Sequence, residues 1–239
     1  MKTAIKYQLW SMKRSLITFY IVIYAIYIIV GILAALTFSS EDSVNFSGMQ
    51  FASWVFVFVL GLNSFRENFY LYLQNSRTRK QLFLSFAFSL LCVSAFMSVI
   101  DNINALIATA INPLFTPNYF VSFGQTMAIG TFPLSLLSFF ALYAAAGMFG
   151  FFVTIGYYHM NKLAKVLVSV GVPLLLFVIF PIADSMLTNG AIYEALGKLF
   201  LYMIGYTSGI IGSLISAAII VLLFGALSWL MIRRAKAKE

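Results

Sequence analysis

The residues able to do chemistry are few. His159 is the only histidine and Cys92 the only cysteine, so the chain can assemble neither a His/Cys metal cluster nor an internal disulfide. It has no HExxH, no GxSxG and no GxxxxGK[ST] phosphate loop, which removes the zinc-peptidase, serine-hydrolase and nucleotide-loop mechanisms those spacings serve. His159 is read as an interfacial side chain. Two carboxylates, Asp101 and Asp184, fall in apolar segments. Ion-driven transport places carboxylates at mid-membrane. Both of these lie toward the outer ends of their segments and are read as boundary residues. The chain is therefore expected not to be an enzyme by itself, and to bind no metal or cofactor. If it moves a substrate with ATP, another polypeptide hydrolyses the ATP.

The elements that must position these residues follow from composition. Of 239 residues, 62% are hydrophobic and only 9% charged, against about 45–50% and about 25% in soluble domains. Too few charges remain to coat a water-facing surface. Continuous apolar runs of about 18 residues or more cross about 30 Å of hydrocarbon as helices, whereas a β-barrel would show alternating segments of about ten. The predicted fold class is an all-α polytopic membrane protein with six transmembrane helices, in a single domain over 1–239. The spans are Leu16–Leu36, Gly48–Phe65, Leu82–Ile107, Met127–Tyr157, Val166–Leu187 and Leu199–Ile232, and residues 184–200 form an outer connection. The first run is too long for a signal-peptide core and is read as retained.

Charge sets the orientation. Fourteen of the fifteen basic residues, all but Lys198, fall on one side of this six-span plan. Glu41, Asp42, Asp101, Asp184 and Glu194 fall on the other. The positive-inside rule then places both termini in the cytoplasm. The net charge of +8 reflects flanks meeting anionic lipid and requires no nucleic acid.

Three patterns stand above this background. In residues 2–15, Ile5, Leu9, Met12 and Leu16 make an apolar stripe beside Lys2, Lys6 and Lys13, with Trp10 at headgroup level. This reads as an amphipathic surface helix, against a plain basic flank. In residues 66–80, helical spacing puts Phe65, Phe69, Tyr72 and Leu73 on one face. Arg66, Glu67, Tyr70, Gln74 and Arg77 share the other. Such a segment suits docking to a soluble partner as well as it suits an interfacial end of span two. Finally, Ala146 and Gly150 in span four, and Gly205, Gly209, Ser213 and Ala217 in span six, recur at i+4. Small-residue stripes let backbones approach closely, inside the bundle or across a dimer seam.

Residues Phe65, Phe69, Leu73, Gln74, Asn75, Thr78, Arg79 and Lys80 carry a resemblance. The chain resembles the small membrane subunits of bacterial type-2 ABC exporters, whose segment after span two runs Phe, a few residues, Phe, then Leu-Gln-Asn-Gly, a hydroxyl residue and Arg-Lys. Ser76 stands where that family has glycine, so the turn there departs from the pattern. The resemblance implies a permease subunit in the bacterial cytoplasmic membrane, paired with a second copy or a related permease and driven by separate ABC ATPase subunits that carry ATP and Mg. It implies that 66–80 is a cytoplasmic coupling helix. Glu67, Tyr70 and Gln74 would then meet the ATPase, with Arg77, Arg79 and Lys80 anchoring to lipid or ATPase.

The substrate it implies is hydrophobic or amphipathic: a peptide, an antimicrobial compound or a lipid-like molecule. Two other readings stay open. One is the substrate-binding membrane subunit of a vitamin importer. The other is a non-transporting membrane immunity or interaction protein.

Overall fold

A computed structural model describes residues 2–37, 49–65, 69, 78–111, 132–204 and 209–234. Among the described residues the chain is helical and has no strand. Helix α1 is Lys2–Thr37, α2 is Met49–Asn63, α3 is Arg79–Ile111 and α4 is Phe132–His159. A further helical run comprises α5 (Lys162–Val166), a π-helical segment Leu167–Gly171, α6 (Val172–Leu174), a second π segment Leu175–Ile179 and α7 (Phe180–Thr188). Two helices close the chain, α8 (Ala191–Ile204) and α9 (Gly209–Arg234).

Among the described residues five helices are long and apolar enough to cross a membrane: Ile5–Ile29, Arg79–Ile107, Phe132–His159, Lys162–Met186 and Ile211–Arg233. They mark a membrane protein. The count departs from the predicted six at α2, whose 15 residues rise about 22 Å, short of about 30 Å of hydrocarbon. The last predicted span, Leu199–Ile232, corresponds to Ile211–Arg233 of α9, while its opening residues belong to α8. These two helices pack on each other. The first 15 residues do not form a separate surface helix either. They are the opening turns of α1, which runs unbroken for 36 residues.

Helix α4 is the axis of the bundle, packed against α2, α9 and α3, while α1 lies against α3. Its run Ala144-Ala145-Ala146-Gly147 is buried, and small residues let other backbones close onto it. A Cβ built on Gly61 of α2 would strike the Gly147 carbonyl oxygen, and one on Gly150 would strike the Phe58 carbonyl oxygen. Thr154 of α4 donates its hydroxyl to the Leu62 carbonyl along the same crossing.

The outward surface is apolar: Ile17, Ile21, Ile28, Phe88, Phe96, Ile211 and Leu222 are all exposed. Several serines, by contrast, are buried. This sorting suits lipid outside, which leaves apolar contact on either side of a helix nearly equivalent. The α5–α7 run carries it furthest, because none of its most apolar stretch is buried. Each π segment ends two residues before a proline, Pro173 and Pro181. The carbonyls four residues back, on Ser169 and Phe177, fall inside those segments, where the wider turn accommodates the clash and the missing donor.

The connection after α7 is built by Asp184. Asn189 (φ 54°) and Gly190 (φ 83°) reverse the chain. The buried Asp184 carboxylate then accepts the amides of Ile192 at 3.3 Å and Tyr193 at 2.7 Å. Asp184 is thus a cap for α8, satisfying donors that open every helix.

Candidate functional site

Two places gather functional side chains. The first is the end of the bundle where α2 stops, α3 starts and α4 and α9 finish. Phe65 and Phe69 are buried there and stack at 5.0 Å. The Phe69 amide donates to the Phe65 carbonyl at 2.9 Å, closing one helical turn. Both rings meet Tyr158 of α4 edge-on, at 5.4 and 5.6 Å. Phe151 continues the knot, stacking on Phe86 of α3 at 3.8 Å. On the other side of the segment, Arg79 donates to the Arg233 carbonyl, placing a cation on the negative end of the α9 dipole. Thr78 accepts the Gln81 amide at 3.3 Å and so caps α3. Lys80 is exposed.

Of the residues assigned to coupling, Arg66, Glu67, Tyr70, Tyr72, Leu73, Gln74 and Arg77 lie outside the described residues. Phe69 faces the bundle, and Arg79 is tied to this chain's own α9. Among the packing residues, Gly150 stands at the α2–α4 crossing and Ala146 is buried within α4. Ser213 bonds Ser138 of α4 at 2.8 Å. Ala217 packs with Leu142 and Ala145 of α4. Gly209 is the first residue of α9, and Gly205 lies outside the described residues. His159 contacts the Ile155 carbonyl at 2.8 Å, within its own helix. Cys92 is half-buried and free.

The second place centres on Asp101, and it corrects the reading of that residue as a boundary group. Asp101 is 1% exposed. Tyr20 of α1 donates to its Oδ1 at 3.1 Å, and Tyr143 of α4 donates to its Oδ2 at 2.6 Å. Ser53 of α2 borders the same group. Its buried hydroxyl lies within electrostatic reach of Asp101, Tyr20 and Tyr143 without closing a well-formed hydrogen bond.

Four helices therefore converge on one carboxylate. Around it, Asn102 donates to the Ser98 carbonyl at 2.7 Å and accepts the Ser135 hydroxyl at 2.8 Å. Tyr24 donates to Asn104 at 2.8 Å. Ser94 and Ser98 extend this polar face along α3, and Ser85 and Ser89 lie on another side of the helix, all fully buried.

Tyr20, Ser53 and Tyr143 were not singled out by the sequence reading. The available signal was the grouping of Ser94, Ser98, Asp101 and Asn102 on one side of α3, a spacing that marks a buried polar face within a span. Among the described residues no group of His, Cys, Asp and Glu is arranged to hold a metal ion. Comparison with protein-family models, with curated proteins and with solved structures finds no match.

Proposed function

We propose that the chain is the membrane-embedded permease subunit of a type-2 ABC exporter. It pairs with a second copy or a related permease, and ATP is hydrolysed on separate ATPase subunits. In this reading α2 crosses as a sixth, short span, with the bilayer thinned around it. Both termini are cytoplasmic, and the cargo is hydrophobic or amphipathic.

The observation that supports this reading is that described residues on either side of 70–77 are tied to the bundle. Phe69 is locked against Phe65 and Tyr158 before the segment, and Arg79 is locked to the α9 terminus after it. Through these anchors a push from a docked ATPase would pass into α2, α4 and α9 as a rigid-body movement.

Native mass spectrometry after mild extraction from the source membrane tests the proposal. Two permeases bound to two ATPases are expected. Glu67→Lys combined with Tyr70→Ala is expected to lose the ATPases while still inserting in the membrane. A wild-type chain repeatedly free of ATPase would overturn the exporter reading and favour the immunity or interaction protein. A double variant that keeps full ATPase occupancy would overturn the coupling assignment alone.

A further inference from the structure

The Asp101 centre has a feature that packing does not explain. Its hydrogen-bonding and electrostatic neighbours among the described residues are Tyr20 and Tyr143, with Ser53 beside them. The titratable groups facing it are Tyr20 and, behind it, Tyr24 from α1, and Tyr143 from α4. Helix α2 contributes only the neutral Ser53. Among the described residues no lysine, arginine or histidine balances the carboxylate. A buried ionised carboxylate needs a compensating charge, and hydroxyl dipoles supply only part of one.

Hydrogen-bond capacity points to the missing charge. An ionised carboxylate only accepts, and two of its roughly four lone-pair sites take the tyrosines. A protonated carboxyl must also donate, and so needs an acceptor with a free lone pair. The Ser53 hydroxyl, buried and without a well-formed bond, provides one. The tyrosine bonds are unequal, at 3.1 Å for Tyr20 and 2.6 Å for Tyr143.

We propose that Asp101 is a reversible proton-binding site inside the bundle, with Ser53 accepting the bound proton's hydrogen bond. The proton comes from water and goes onto Oδ1, whose tyrosine bond is the weaker. Oδ1 then donates to Ser53, and the Tyr20 hydroxyl loses its acceptor. Tyr143 stays bonded to Oδ2. Proton uptake thereby unfastens α1 from α3 at mid-helix, while Tyr24–Asn104 and Ser89–Gln8 still hold on either side. This site is independent of the exporter reading.

Infrared difference spectra of the full chain in lipid nanodiscs, recorded between about pH 5 and about pH 9, test it. The expected result is a carboxyl C=O band that titrates in wild type and is absent in Asp101→Asn. In Tyr143→Phe, which keeps the carboxyl, the titration is expected to be displaced. Identical spectra in wild type and Asp101→Asn would overturn the proposal. A band in wild type that sodium chloride removes at constant pH would also overturn it, because the bound charge would then be a metal cation. If Asp101→Asn fails to fold, Ser53→Ala decides: an unaltered titration and band position there would remove Ser53 as the acceptor and overturn the proposed network.

Discussion

Gly61→Ala is expected to destabilise the bundle despite adding a better helix former. The added methyl would land on the Gly147 carbonyl oxygen and 3.0 Å from the Phe151 amide nitrogen. Carbon contacts are comfortable at about 3.5–4.0 Å, so α2 and α4 must part by about 1 Å. A gap of that size forfeits roughly a quarter to a half of the dispersion energy of the atoms lining it. Overpacking costs about 1–3 kcal/mol. The obstructing atoms are backbone and cannot rotate away, which selects the top of that range, about 3 kcal/mol. Helix propensity returns about 1 kcal/mol, leaving a net loss of about 2 kcal/mol.

At about 2–4 °C per kcal/mol for a chain of this length, Tm falls by about 4–8 °C. The single cysteine, Cys92, lies half-buried in α3, so a thiol-reactive dye reads unfolding at one position in detergent or nanodiscs. Gly156→Ala is the control, because its nearest neighbour is Met231 Cε at 4.0 Å. Equal melting temperatures for the two variants would refute the close-crossing argument.

Other perturbations follow from the same contacts. Gly197→Ala, in α8 with nothing within 4 Å, should raise stability by about 0.5–1 kcal/mol, visible as a higher melting temperature. Asp184→Ala should cost about 1 kcal/mol as a lost cap, with faster hydrogen exchange confined to the Ile192 and Tyr193 amides and the turn before them. Arg79→Gln should speed exchange in the last turn of α9, because the Arg233 carbonyl loses its cationic donor. Glu194 is held below the ordinary carboxylate range by hydrogen bonding to and the charge of Lys198, 2.7 Å away. A depressed carboxylate contributes above its unfolded pKa and loses that contribution as pH falls through its folded one. Lys198→Ala should therefore move the Glu194 titration, followed by carboxyl NMR, upward. Both side chains are exposed, so melting near neutral pH should not change.

The long spans were legible because hydropathy summed over about 20 residues is a strong signal. Helices α3, α4 and the α5–α7 run fall where the apolar runs placed them, within a few residues. The misreadings occurred where local packing decides. The sequence from Leu199 to Ile232 is apolar apart from a Gly-Tyr-Thr-Ser stretch, residues 205–208, which lie outside the described residues. What hydropathy does not carry is the start of α8 at Ala191, which the Asn189–Gly190 reversal and the Asp184 cap set. The basic stripe of residues 2–15 suggested a surface helix. What continues α1 without a break is its buried face, where Gln8, Met12, Leu16 and Tyr20 repeat at i+4 against α3.

Asp101 was misjudged for a deeper reason. Position along a span was used to infer depth, and depth to infer solvation. In a helical bundle, however, solvation depends on which face a residue occupies. Lipid takes the apolar face, so the face turned inward is the one carrying serines, asparagines and the carboxylate. On α3 the face that carries the carboxylate is Ser94, Ser98, Asp101 and Asn102, while Ser85 and Ser89, nearer the helix start, are buried on a different side of it, all at 1% exposure or less; Phe88, Phe96 and Ile103 are exposed. Averaged hydropathy hides this division because it sums over both faces. A helical-period search for polar residues, the reverse of the usual search for apolar ones, would have aligned Asp101 with Ser94, Ser98 and Asn102 and placed it inside. It would not have supplied Tyr20, Ser53 or Tyr143, since those come from other helices and only their packing brings them to the carboxylate.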